Sequence, residues 1–309
     1  MDPMDMVRQL GAELSNWGRW GAEDERGTIN LITPEAIAAA AATVRRGAVF
    51  SLALPLDEHG PMEPAFGRFN PIHRMTRYRG DDAFGNAFPA HKSSDDMAII
   101  CLQSSTQWDS LAHVWYDDKL YNGFSAEEIG AGGARRCAIG NWAQGIIGRA
   151  VLLDVARHLG VDCLAPGHRI EPDDLDAVLA RQGVETRPGD IILLRTGLLG
   201  HWQRTGEPMG TDQPGITIQC ARWLKARDIA AIAADNAAVE VIRPGPGEPA
   251  VGFHMVAIRD MGLALGEYFV LDALAEDCAA DGVYEMLLTA APLNFPRAVG
   301  TPLNPLAIK

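Results

Sequence analysis

Apolar runs of strand length alternate with stretches of helical spacing through most of the chain. Arg149–Val155, Asp190–Thr196 (DIILLRT) and Ile229–Ala234 are short apolar runs that read as strands. Between them, Pro172–Gln182 and Ile218–Arg227 read as helices. Glu171, Asp173 and Asp174 put negative charge at the start of the first, where the helix dipole favours it. An earlier helix is marked at both ends, by Thr33 as N-cap, Pro34 at the first helical position, an alanine-rich run and then Gly47. Ala48–Leu56 predicts a strand, and Asp96–Gln103 (DMAIICLQ) a buried strand that carries the residues after it into the interior. A further helix is expected to begin near His254, a short one over Phe269–Ala279, and a closing strand over Tyr284–Leu293.

Strands alternating with helices predict an α/β fold. Strand-rich and loop-rich zones at both ends predict a mixed sheet that curls partly on itself, flanked by helices. No internal repeat or strong linker interrupts the pattern, so residues 48–309 are expected to form one domain. Residues 1–47 are expected to be an arm and helix packed on that core or on a partner subunit. The segment Asp57–Phe88 is long for a connection and crowded with Pro, Gly, Arg and His, which marks a loop that borders a site or moves. Its histidines His59 and His73, and the nearby His91, are weak pocket candidates, since a lone loop histidine is usually solvated. Phe66, Phe69, Trp108, Trp115 and Tyr121 could line an apolar pocket, although such residues are more often core.

Composition narrows the function classes. With 309 residues, 47% hydrophobic and 22% charged, the chain is an ordinary globular protein. A formal charge of −13 without any basic stripe argues against nucleic acid and anionic membranes as partners, and leaves room for metal cations. Five scattered cysteines without a C-x-x-C pair argue against a disulfide framework or a cysteine zinc site. The acidic N-terminus MDPMDMVRQL has no apolar stretch of signal-peptide length, and a cytoplasmic location is expected. Gly130–Gly133 lacks the strand-helix context of a nucleotide loop, and there is no Gly-x-Ser-x-Gly elbow.

The densest chemistry lies in Gln103-Ser-Ser-Thr-Gln107-Trp-Asp109-Ser-Leu-Ala-His113. If the backbone is extended there, Gln107 and Asp109 leave the same face, because residues two apart in a strand point the same way. Asp109 supplies a hard anionic oxygen and Gln103 and Gln107 neutral amide oxygens, while His113 suits either a ligand or a general base. The same residues also fit a capped turn followed by a core histidine. Later, His254 stands where a Gly/Pro-rich loop meets a helix, and Glu267 follows a glycine in an apolar run, an expensive place for an unpaired carboxylate. A surface glutamate beyond a helix end is the alternative.

The segment resembles a variant of the H-x-G-T-H-x-D-x-x-x-H signature of the cyclase family of metal-dependent hydrolases, which includes kynurenine formamidase, isatin hydrolase and trans-dienelactone hydrolase. Thr106, Asp109 and His113 match, while Gln103 and Gln107 replace the two leading histidines and Ser105 the glycine. This Q-x-x-x-Q-x-D-x-x-x-H form is similar to the trans-dienelactone hydrolase branch. The resemblance extends to NWGRWG (Asn16–Gly21), GTINLITPE (Gly27–Glu35), YDDKLYNG (Tyr116–Gly123) and PLNPLAI (Pro302–Ile308).

The resemblance implies a swivelling β/β/α-type cyclase-like fold and a homodimer or larger oligomer. It also implies a site for one or two divalent ions, zinc first and manganese second, held by Gln103, Gln107, Asp109, His254 and Glu267, with His113 as catalytic base. Asp235-Asn236 would support that site from behind. The implied reaction is the opening of a small cyclic ester, a lactone of dienelactone type. A cyclic amide, imide or N-formyl amide is the alternative within the class. Outside it stand a non-catalytic metal- or ligand-binding relative and a metal-dependent lyase or isomerase.

Overall fold

The computed structural model describes residues 2–62, 67–79, 92–243, 245 and 247–309. Its centre is a curled nine-stranded mixed sheet flanked by helices. In chain order the strands are β1 (Val49–Ser51), β2 (Gln107–Asp109), β3 (Ile146–Asp154), β4 (Ile191–Arg195), β5 (Ala231–Ala234), β6 (Ala264–Glu267), β7 (Glu285–Ala290), β8 (Gly300–Pro302) and β9 (Leu306–Ile308). Across the sheet they run β1-β9-β7-β3-β4-β5-β6-β2-β8. The four central strands β3, β4, β5 and β6 are parallel, and antiparallel strands complete both sides. β4 and β5 are buried at every position, which is why they read as unbroken apolar runs.

The helix Pro172–Gln182 has the predicted bounds. Glu171 and Asp174 form a reciprocal capping box, and Gly183 ends the helix at φ 63°. The helix after Thr33 is shorter than expected. It spans Pro34–Ala41, and Thr43 and Val44 close turns onto Ala40 and Ala41 instead of continuing it. The expected strand Ala48–Leu56 is ordered as a strand only over Val49–Ser51.

The DMAIICLQ expectation is corrected. Asp95–Ile99 pairs only with Ile72–Arg77, in a two-stranded ribbon outside the main sheet. Met97 and Ile99 are about half exposed. Periodicity marks strand tendency, but it does not say whether a sheet lies beneath to cover the apolar face. The strand that enters the interior is β2, immediately after the run.

One segment after His254 departs from ordinary helix geometry. Gly252–His254 begins a helix that continues as a π-helix over Met255–Met261 and stops at Gly262, φ 64°. A wide helix leaves carbonyls at its end that need donors. The N-terminal motif supplies them: Asn16 N–H donates to Asp260 O, Asn16 Nδ2 to Met261 O, and Trp17 Nε1 to Arg259 O at 2.7–2.8 Å. The Arg259 guanidinium lies over the rings of Trp17 and Tyr116, and Tyr116 donates to Asp260. The helix Pro3–Leu14 packs on the same π-helix. No helix among the described residues is long and apolar enough to cross a membrane.

Candidate metal centre and active site

β2 is three residues long, and its orientation is set by Trp108. The indole is fully buried, lies 5.2 Å from the Phe269 ring and donates through Nε1 to Ala290 O at 3.0 Å. With a side-chain period of two, burying Trp108 on one face sends Gln107 and Asp109 to the other. Room for the indole comes from Gly266, opposite Trp108 in register, where a Cβ would stand 2.6 Å from the ring. Register then places Glu267 opposite Gln107. Thr106 pins the entry to the strand, donating to Tyr268 O and accepting from Leu54 N–H.

The third member arrives from the helix start. His254 Nε2 lies 3.3 Å from Glu267 Oε1 and 4.0 Å from Asp109 Oδ2, and all three residues are buried. One donor atom from each falls within 4.8 Å of the other two. Such spacing suits a shared ion at roughly 2.0–2.2 Å from each donor after a small contraction. Asp109 Oδ2 and Gln107 Oε1 are buried and unpartnered among the described residues. The Gln107 amide nitrogen donates to Glu267 Oε2 at 2.7 Å and lies 3.4 Å from Asp109 Oδ1, so its free oxygen is the atom left to ligate.

The electrostatics fit a cation. Glu267 is pushed above the usual carboxylate range by burial and by the charge of Asp109, against the pull of His254. Burial works against charge on His254 too. Its hydrogen bonds to Glu240 and Glu267 nevertheless outweigh that and raise it to about 10. In the metal-free chain a proton on this imidazole therefore neutralises part of the carboxylate charge. A divalent ion at the same place supplies twice that charge, and the donor set of two carboxylates, one imidazole and one amide oxygen accepts it.

His113 stands at the edge of this cluster, its Nε2 3.8 Å from Asp109 Oδ1. Burial lowers its pKa below 6.5, with Asp109 opposing, so the imidazole is neutral at neutral pH. A cavity of about 360 Å³ opens onto His113, His254 and Glu267, lined also by Met62, Val114, Met209, Ile242, Val251 and Arg68. Gln103 comes in beside the strand edge next to β2. Its amide nitrogen is buried and unpartnered beside Gly300, the residue opposite Asp109 in β8.

Of the aromatic pocket candidates, Trp108 and Tyr121 are core, while Phe69 and Trp115 are exposed and do not line this cavity. His59 is exposed, and His73 pairs with Asp96 on the ribbon. Phe66 and His91 lie outside the described residues. Asp235 accepts from Thr196 N–H, its hydroxyl and Gly197 N–H at 2.7 Å, holding the turn after β4. Asn236 shapes the loop to Glu240, accepting from Val239 N–H and donating to Pro214 O.

Glu240 is the residue that sequence reasoning missed. Its carboxylate accepts from His254 Nδ1 at 2.6 Å and from the backbone N–H groups of Phe253 and His254, fixing the ring so that Nε2 faces the cluster. An acidic residue inside the apolar run AAVEVI was the available signal, the same one that marked Glu267. The backbone is strained around it. Val239 (φ 59°), Val251 (φ 53°) and Tyr268 (φ 56°) all occupy the left-handed region, at a cost of about 1–3 kcal/mol each, beside Glu240, the His254 helix and Glu267. Glu240→Gln is expected to weaken divalent metal binding by about 10- to 100-fold, read by chelator competition, with little loss of fold.

A model of the family described as Putative cyclase matches residues 50–241, ending before His254 and Glu267. A solved structure described as a novel cyclase is 40% identical, covers 96% of this chain and 100% of its own, and superposes with a TM-score of 0.89. Isatin hydrolase A from Labrenzia aggregata shares the fold at 18% identity and TM-score 0.59, covering 89% of this chain and 97% of its own. A predicted metal-dependent hydrolase from Bacillus stearothermophilus does so at 14% and 0.53, covering 85% and 98%. No match was found among functionally curated proteins. Family match and close structural likeness agree with the motif around Asp109 and His113: the chain belongs to the Cyclase family.

Proposed function

We propose that this protein is a metal-dependent hydrolase that opens a small cyclic ester by addition of water. The observation that carries the reading is the buried Asp109–His254–Glu267 cluster with an unpartnered Asp109 oxygen, two of whose members, His254 and Glu267, line a cavity together with His113. Asp109, His254 and Glu267 would hold the ion, with the Gln107 amide oxygen as a fourth donor. Zinc suits the imidazole, and manganese competes because the remaining donors are oxygens. When bound, such an ion supplies Lewis acidity to a carbonyl and to water.

The residues do the rest. His113 takes a proton from the attacking water as the new C–O bond forms. It returns that proton to the ring oxygen as the ester C–O bond breaks, giving a hydroxy acid. Asp109 Oδ1 faces the imidazole and stabilises its transient charge. Gln107 holds Asp109 and Glu267 at fixed separation by donating to the latter, and Glu240 holds His254. The apolar cavity wall excludes bulk water and receives the body of the ring.

The test is elemental analysis of protein purified without chelator, with a panel of small lactones assayed before and after metal stripping. Zinc or manganese near one or two per chain is expected, with ring opening that disappears on stripping and returns with the ion. Ring opening that survives complete stripping would overturn the reading. So would stoichiometric metal with no turnover of lactones, cyclic amides or N-formyl amides.

A further inference from the structure

We propose that a second cavity, separate from the candidate active site, binds a small oxyanion, a carboxylate or phosphate group on a compact body. This cavity has a volume of about 330 Å³, opens at the C-terminal end of β3, and shares no lining residue with the one at His113 and His254. β3 stands three places from β6 in the sheet, so at about 4.8 Å per strand the two sites are roughly 14 Å apart. The proposal does not depend on the hydrolase reading.

The lining brings together elements distant in sequence. Asp154 is the last residue of β3, and Arg157 and His158 lie in the helical turn that follows it. Arg181 comes from the last turn of the helix Pro172–Gln182, and Tyr284 from just ahead of β7. Two arginines thus face one carboxylate, in a chain whose formal charge is −13. That carboxylate is already satisfied. Asp154 Oδ1 accepts from Arg157 N–H at 3.1 Å and from the Arg195 guanidinium at 2.8 Å, and Oδ2 accepts from Arg157 Nε at 3.1 Å. The Gln182 amide is likewise committed, to Leu152 O and to Asp154 N–H.

The donors left over are the ones an oxyanion needs. One N–H of the Arg181 guanidinium donates to His158 O at 3.0 Å, and no described carboxylate pairs with this arginine, whereas Arg157 pairs with Asp154 and Glu276. The planar fork therefore keeps N–H groups for a bidentate acceptor. The Tyr284 hydroxyl has no hydrogen bond to a described residue. Arg157 and Arg181 both pull its pKa down against burial, so both guanidinium groups act on the space around it. His158 Nδ1 is a buried nitrogen without a partner among the described residues. A cation would be repelled here and a neutral ligand would leave Arg181 without a counterion, while Val178 and Ala279 offer apolar surface to the body of an organic anion.

The experiment titrates the purified protein with benzoate, its uncharged counterpart benzamide, and inorganic phosphate, by calorimetry at low ionic strength. An oxyanion is expected to bind, with benzoate about 10- to 100-fold tighter than benzamide if the ligand is a carboxylate. Benzoate alone would make the site one for an organic carboxylate, and phosphate alone one for a phosphoryl group. Arg181→Met should weaken the anion about 10-fold or more, and Tyr284→Phe about 2- to 10-fold, with melting temperatures near wild type. Asp109→Asn, which disables the candidate metal centre, should leave the affinity unchanged. Binding of neither anion up to about 10 mM would overturn the proposal. So would an affinity that survives Arg181→Met, or one that is lost with Asp109→Asn, which would place the anion on the metal.

Discussion

Asp109→Asn is expected to yield a folded protein that retains no stoichiometric divalent metal and turns over its substrate about 10³-fold more slowly or worse. The carboxylate is central to the cluster: Oδ1 faces Gln107 and His113, and Oδ2 faces His254 with no hydrogen-bond partner among the described residues. Asparagine keeps the volume but removes the charge. It also gives the site an amide that must set a donor against either the Gln107 amide or the cation. Stability should move the other way. Asp109 and Glu267 repel each other in a buried space, as the raised pKa of Glu267 records. Neutralising one of them relieves that repulsion in the metal-free chain. Elemental analysis and thermal melting with and without chelator check both halves, and a variant that keeps its metal would remove Asp109 from the ligand set.

His113→Ala is expected to separate chemistry from metal binding. Turnover should fall by about 10²- to 10⁴-fold while metal content stays near wild type. A pH profile adds a second readout. Burial depresses the His113 pKa, so the base is unprotonated above a midpoint lying under 6.5 and is lost as pH falls through it. Wild-type turnover should therefore decline on that acid limb, and the limb should vanish in the variant. Loss of metal from His113→Ala would make this histidine a ligand, and unchanged turnover would end its assignment as base.

Much of this site was legible because chemistry and strand periodicity coincide in one short segment. Trp108 between Gln107 and Asp109 is a single core residue flanked by two polar ones, and burial of the indole decides the facing of both. The central strands were equally readable as strands, since strands covered on both faces leave unbroken apolar runs, but their parallel order was not read from the sequence. The ribbon was misread because Met97 and Ile99 have strand-like spacing without a sheet beneath them. β6 was seen only as an apolar run around Glu267, because a four-residue strand with a central glycine has little periodicity to show. Glu240 escaped because its role depends on where a distant loop places His254, and no spacing in the sequence encodes that.

The π-helix imposes a constraint on chain length. His254 opens it and Glu267 lies just beyond its end, with Asn16 and Trp17 fixing its last turn from outside. Removing one residue from Met255–Met261 would let the segment relax to an α-helix. Each residue of an α-helix turns by about 100°, so the register between the two candidate ligands would rotate by that amount while the N-terminal clamp stayed in place. The stretch from His254 to Glu267 thus works as a fixed-length ruler. Side chains along it can be exchanged one for another far more readily than the chain can be shortened or lengthened.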